Sequence, residues 1–234
     1  MSDYLRLRKT AAQDAWLALL RDYLLLAGTQ PVADVRKAGG RRLTCSEVEE
    51  FRKGPATFLA ILPKQDCTDA GMVTVHLAAP QYVYDLRAHH LLGRITQADG
   101  GMAPGEPLLF AMLPTPVGRL SVLPAGGTAG AAQVRAGDTV RFSVRFAPRS
   151  RAAGSSQPAA AQANGNLPPA AIHIEVRNPA GRVVDYYGAN RALANGTADF
   201  TIPLAFNDVP GTWRVTAREP YTHQTASAAF ILSR

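Results

Sequence analysis

Apolar and polar residues alternate one by one through much of the second half of this chain, and that rhythm limits its fold more than any other feature. Val140, Phe142, Val144 and Phe146 alternate with Arg141, Ser143 and Arg145. Ile172, Ile174 and Val176 alternate with His173, Glu175 and Arg177, and Trp213, Val215 and Ala217 with Arg214, Thr216 and Arg218. Successive side chains of a strand point to opposite faces, so a two-residue period gives each segment one buried and one wet face. Sheets made of such strands bury their apolar faces against one another. Asn178-Pro179-Ala180-Gly181 reads as a turn, with Pro presetting φ and Gly free to adopt a positive value. With roughly seven strands over about a hundred residues, residues 117–234 are expected to form an immunoglobulin-like β-sandwich.

Ahead of the sandwich, Val32–Arg36, Leu43–Arg52, Thr57–Leu62, Met72–Ala78, Tyr82–Leu86 and Pro107–Leu113 are short strand-like runs. Gly39-Gly40, Gly54-Pro55, Asp69–Gly71 and Pro104-Gly105 separate them. None is followed by a crossover helix, so residues 31–116 are expected to form a small antiparallel β-domain. Thr115–Ala132, rich in Pro, Gly and small residues, reads as the hinge between the two domains. Gly100-Gly101 and Gly126-Gly127 read as turn glycines. Residues 148–169 have no periodicity and too little apolar surface to offset their ordering entropy, which predicts a mobile loop.

Residues 1–30 differ in period. Ala12, Trp16, Leu19, Leu20, Tyr23, Leu24 and Ala27 form the stripe of an amphipathic helix. Thr10 with Gln13 fits a capping box, Gly28 fits the left-handed C′ position, and Pro31 blocks continuation. The stripe fits either a partner-binding face or a helix docked on its own domain; docking is the simpler expectation. The predicted fold class is therefore mainly β, with an N-terminal α-helix, a small antiparallel β-domain and a sandwich.

The net charge of +7 invites a nucleic-acid reading. Of the 25 basic residues 21 are Arg, however, spread from Arg6 to Arg234 without the clusters or interleaved aromatics of a polyanion-binding surface. No apolar run approaches the length of a membrane span, and Met1–Thr10 has no apolar core of a signal peptide.

Candidate chemistry is sparse. Cys45 and Cys67 are the only cysteines. If the Gly54-Pro55 hairpin pairs residues whose numbers sum to about 109, Cys45 faces the neighbourhood of Lys64, close enough to Cys67 for a disulfide worth about 3 kcal/mol. Two independent thiols are the alternative. His89 and His90 are neighbours that a strand would point to opposite faces, while His76, His173 and His223 stand alone, so no metal is expected. There is no nucleophile elbow, Cys–His signature or phosphate loop. Glu47, Glu49 and Glu50 look like the wet side of a strand, and Asp85 and Asp185 sit where turns begin. Asn195-Gly196-Thr197 matches a glycosylation sequon, read here as chance. Tyr82, Tyr84, Tyr187 and Tyr221 are the candidates for stacking on a sugar, with core or rim packing as the alternative.

Two stretches carry resemblances. Tyr82-Val83-Tyr84-Asp85-Leu86-Arg87, Leu92-Gly93-Arg94, Pro104-Gly105-Glu106-Pro107-Leu108-Leu109 and Leu113-Pro114 resemble an accessory β-domain of bacterial glycoside hydrolases. Such domains lie behind the trimerisation domain of large β-galactosidase-like proteins. Leu26-Ala27-Gly28 and Pro31 resemble the linker entering it. Val176–Gly181, Gly196-Thr197-Ala198 and Pro210–Val215 resemble bacterial macroglobulin-like or immunoglobulin-like modules. The resemblance implies a non-catalytic tail or subunit, needing no cofactor, whose partner is a catalytic glycoside-hydrolase domain or subunit. A carbohydrate-binding module that grips polysaccharide is the alternative, and a small hydrolase with an unrecognised carboxylate pair a second. The resemblance places no catalytic residue and leaves the compartment undetermined.

Overall fold

The helical period of residues 11–26 and the two-residue period that follows are both realised in the computed structural model, which describes residues 11–29, 33–43, 45–64, 71–124, 131–147 and 170–234. Helix α1 (Ala11–Leu26) ends as the Gly28 rule requires. Gly28 has φ +83°, its N–H donates to Leu25 O at 3.0 Å, and Thr29 N–H donates to Leu24 O at 2.9 Å. These are the two bonds of a Schellman cap. Thr10 lies outside the described residues, so the capping box does too. The expected docking is not seen: Trp16, Leu19, Leu20, Tyr23 and Leu24 are all exposed.

The first β-body has strands β1 (Ala33–Lys37), β2 (Ser46–Lys53), β3 (Ala56–Pro63), β4 (Gly71–Asp85), β5 (His90–Met102) and β6 (Leu108–Leu113). They form one antiparallel sheet in the order β1-β4-β6-β3-β2, with β5 on the other edge of β4. The β2–β3 hairpin turns at Gly54-Pro55 in the expected register, from Lys53 opposite Ala56 to Ser46 opposite Pro63. Two expectations change. Met72–Ala78 and Tyr82–Leu86 belong to one long strand, because a bulge between His76 and Gln81 absorbs Pro80, which has no N–H for the ladder. Before the bulge β4 pairs with β1, and after it with β6. Gly100 and Gly101 lie inside β5, opposite Val73 and Met72, rather than in a turn. A Cβ on Gly100 would sit 3.0 Å from Leu108 and 3.2 Å from Phe110, so glycine here permits close packing.

The second body is a β-sandwich of β7 (Arg119–Pro124), β8 (Ala132–Arg135), β9 (Thr139–Ala147), β10 (Ala171–Arg177), β11 (Ala189–Ala192), β12 (Thr197–Pro203), β13 (Gly211–Arg218) and β14 (Thr225–Ser233). One sheet runs β12-β9-β7 and the other β11-β10-β13-β14-β8. All pairs are antiparallel except β14 with β8. Part of the expected hinge is thus sheet: β7 lies inside it, β8 begins at its last residue, and the two strands join opposite layers. The alternating residues fill the core as their period requires, with Phe142 stacked on Phe200 at 5.4 Å and Trp213 on Phe230 at 5.9 Å. The Asn178 turn closes through its own side chain, whose Oδ1 accepts from Ala180 N–H and Arg182 N–H. The loop expected to be mobile, residues 148–169, lies outside the described residues.

Candidate functional site

The first body has an apolar cluster of its own, built on residues such as Ile61, Val75, Val83 and Phe110, but it also shares an interior with the sandwich. Ala56, Tyr84, Ala111, Leu113 and Val117 belong to the same apolar cluster as the sandwich core, with Phe58, Tyr82, Leu86 and Leu91 packed against it. The β13–β14 turn, Glu219-Pro220-Tyr221-Thr222-His223-Gln224, makes this junction. The Glu219 side chain is fully buried, the one charged side chain so placed among the described residues. Its carboxylate accepts N–H groups from Tyr221 at 2.6 Å, Thr222 at 2.9 Å and Gln224 at 3.0 Å, and the Thr222 hydroxyl as well. Pro220, between them, presents no N–H to satisfy. A turn this closely bonded keeps one shape, and that shape presents Tyr221 to the first body. The ring lies 6.4 Å from Phe58, near parallel, and 5.7 Å from Tyr84. Burial raises the Tyr221 phenol well above its ordinary range, with the Glu219 charge adding to it.

Three further bonds hold residues 117–120, one to Tyr84 on β4 and two to Gln224 of this turn. Tyr84 Oη accepts the Val117 N–H at 2.8 Å. Gln224 Oε1 accepts the Leu120 N–H at 2.6 Å while its Nε2 donates to Gly118 O at 3.1 Å. His89, at φ +54° in the β4–β5 turn, stacks on His223, at φ +55°, with centroids 3.3 Å apart and planes at 21°. Partial desolvation, the His89 ring and the Arg218 charge hold the His223 pKa below its ordinary 6.5, against the opposing Glu219 carboxylate. The folded state therefore favours neutral His223. Its contribution is complete above the unfolded pKa and is lost as pH falls through the lower folded value. Between about pH 7.5 and about pH 5 the wild-type Tm is expected to fall further than that of His223→Gln. Parallel Tm–pH curves would remove the pair from any role in stability.

The four candidate tyrosines do not form an exposed platform. Tyr84 and Tyr221 are each 2% exposed, and Tyr82 is half-buried beside them, so three meet as junction core. Tyr187 is also half-buried. Its hydroxyl donates to Asp208 Oδ2 at 2.6 Å and accepts Ala205 N–H at 3.0 Å, while its ring packs edge-on to Trp213. Burial and the Asp208 carboxylate push its pKa up to about 12. In the sandwich the exposed aromatic rings among the described residues are its neighbour Tyr186, at 75%, and Phe206; Phe51 on β2 and Trp16 and Tyr23 on α1 are exposed elsewhere. Cys45 is disulfide-bonded, and Lys64 N–H donates to its carbonyl as the hairpin register requires. Cys67 lies outside the described residues. Asp85 caps its turn by accepting Arg87 N–H and Ala88 N–H. A shallow cleft of about 300 Å³ lies along β10 and β11, lined by His173, Glu175, Val183, Asp185, Gly188 and Asn190, with His173 Nδ1 2.9 Å from Asn190 Oδ1. Among the described residues no group of three or more His, Cys, Asp or Glu side chains is placed to hold a metal. No described helix is long and apolar enough to cross a membrane.

Glu219 and Gln224 are the residues that sequence reasoning passed over. The available signal was an acidic residue, a proline and an aromatic in succession between two alternating strands.

No protein-family model matches the chain, and no curated protein matches it. Among solved structures it is similar to a tetra-tandem repeat in the extending region of a large adhesion protein, at 12% identity and TM-score 0.33, covering 86% of this chain and 66% of that one. It is also similar to an isomalto-dextranase of Arthrobacter globiformis T6 complexed with panose, at 18% identity and TM-score 0.26, covering 84% and 40%. A membrane-anchored protein from Corynebacterium diphtheriae is similar at 9% identity and TM-score 0.30, covering 86% and 57%. The chain thus spans 40–66% of the length of these structures, and likenesses this distant assign it neither a family nor an activity.

Proposed function

We propose that this chain is a non-catalytic structural and interaction region: a β-domain over residues 31–116 and an immunoglobulin-like sandwich over 117–234, held as one stiff accessory unit beside a glycoside-hydrolase catalytic domain or subunit. The observation that carries the reading is the use made of Glu219. A fully buried carboxylate is the kind of group catalysis exploits, yet here it accepts the amides of its own turn and shapes the wedge between the two bodies. The shared core and the Tyr84 and Gln224 bonds serve the same end. The association with a glycoside hydrolase rests on the sequence resemblance around Tyr82–Pro114. Cys45 and Cys67 are proposed as the bridge that staples the start of β2 to the segment after β3.

Stiffness has a direct readout. In scanning calorimetry the two bodies are expected to melt in one transition whose calorimetric and van't Hoff enthalpies agree. Two resolved transitions would refute a single mechanical unit. Turnover of any chromogenic glycoside that one Asp or Glu substitution abolishes would refute the non-catalytic reading. The exposed Tyr186 and Phe206 keep a second reading, polysaccharide binding, in play. Retardation in a galactan gel that Tyr186→Ala removes would favour it.

A further inference from the structure

Trp16, Leu19, Leu20, Tyr23, Leu24 and Leu26 of α1 are exposed, from 43% for Leu20 to 86% for Leu26. A helix of 16 residues is marginal in water by itself, and helices in folded proteins persist because an apolar stripe is covered. These six side chains expose roughly 700 Å² of apolar surface, above the ~300–600 Å² of the largest patch on a typical monomer. The pattern also says what kind of surface fits. Trp16, Leu19, Tyr23 and Leu26 occupy the a and d positions of a heptad, while Arg21 falls at f, opposite the seam.

We infer that α1 is a self-association element through which two copies of this chain pair their helices antiparallel about Arg21. In that register Trp16 meets Leu26 of the partner subunit and Leu19 meets Tyr23 of the partner subunit. Every bulky ring then lies against a leucine, which fills the seam evenly, and the helix dipoles oppose each other favourably. A parallel pair would place ring on ring at both a positions. Pairing the two seams of Trp16, Leu19, Tyr23 and Leu26 covers roughly 1,100 Å², just above the ~1,000 Å² a specific interface must clear. The stripe is thus complementary to itself both in shape and in area.

Sedimentation equilibrium of the full chain across the micromolar range is expected to give twice the chain mass. The Trp16→Asp/Tyr23→Asp double variant is expected to raise the dissociation constant at least about tenfold. Its far-UV spectrum and melting transition should stay those of wild-type β-bodies, since α1 lies outside both apolar clusters. Leu19→Cys chains mixed with Tyr23→Cys chains are expected to form a mixed disulfide on a non-reducing gel. A monomeric wild type overturns the inference, as does a dimer that the double variant leaves intact. A Leu19→Cys disulfide homodimer overturns the antiparallel register. None of these outcomes touches the accessory-unit reading, which rests on the junction and fails only if the two bodies melt apart or turn over a substrate.

Discussion

Trp213→Ala is expected to lower the stability of the chain by about 3–5 kcal/mol in urea unfolding followed by circular dichroism. The indole is 1% exposed on β13, stacks on Phe230 at 5.9 Å and takes the edge of Tyr187 at 6.0 Å. Its Nε1–H donates to Val209 O at 2.9 Å, which anchors the loop leading into the strand. Truncation to alanine removes the apolar contacts, opens a cavity between the sheets and leaves that carbonyl without its donor. The neighbours cannot collapse into the space easily, because Phe230 is held in register on β14 and Tyr187 by Asp208 and Ala205. A loss under about 1 kcal/mol would mean the indole does not face the core.

Glu219→Ala is the second change with a large expected effect, roughly 3 kcal/mol or more, and it has a distinctive signature. Alanine deprives the amides of Tyr221, Thr222 and Gln224 of their common acceptor inside a buried turn. Each unpaired buried donor costs about 1–3 kcal/mol, so the turn is expected to rearrange rather than keep its shape. Rearrangement withdraws Tyr221 from Phe58 and Tyr84 and shifts Gln224 from Leu120 and Gly118. The junction should loosen while each sheet stays intact, so the single calorimetric transition is expected to split in two. Glu219→Gln, which keeps one acceptor oxygen, should fall between. A Glu219→Ala protein that melts once, at the wild-type temperature, would deny the turn its locking role.

Local signals in the chain reach a definite distance. Strands β9, β10 and β13 of the sandwich, the Gly28 cap, the Asn178 turn and the register of the Gly54-Pro55 hairpin all rest on interactions spanning a few residues, and each is legible without coordinates. Strand β5 is not, because Gly100 and Gly101 read as turn glycines; only the nearness of Leu108 and Phe110 shows why glycine is needed at 100. Likewise Met72–Ala78 and Tyr82–Leu86 read as two strands, whereas β4 runs through Pro80 in a bulge by exchanging β1 for β6 along one edge.

Periodicity by itself determined which faces of these segments are greasy and therefore that the polypeptide packs as sheets behind one helix. It said nothing about what each greasy face lies against. That Tyr84 and Tyr221 are core rather than platform, that the described residues leave the apolar face of α1 exposed, and that β8 pairs in parallel with β14 are decisions of the tertiary structure. The physical reason is separation along the chain. The amide of Leu120 finds its acceptor on Gln224, 104 residues away, and such a bond is specified by how the two sheets of the sandwich pack rather than by any stretch of sequence between them.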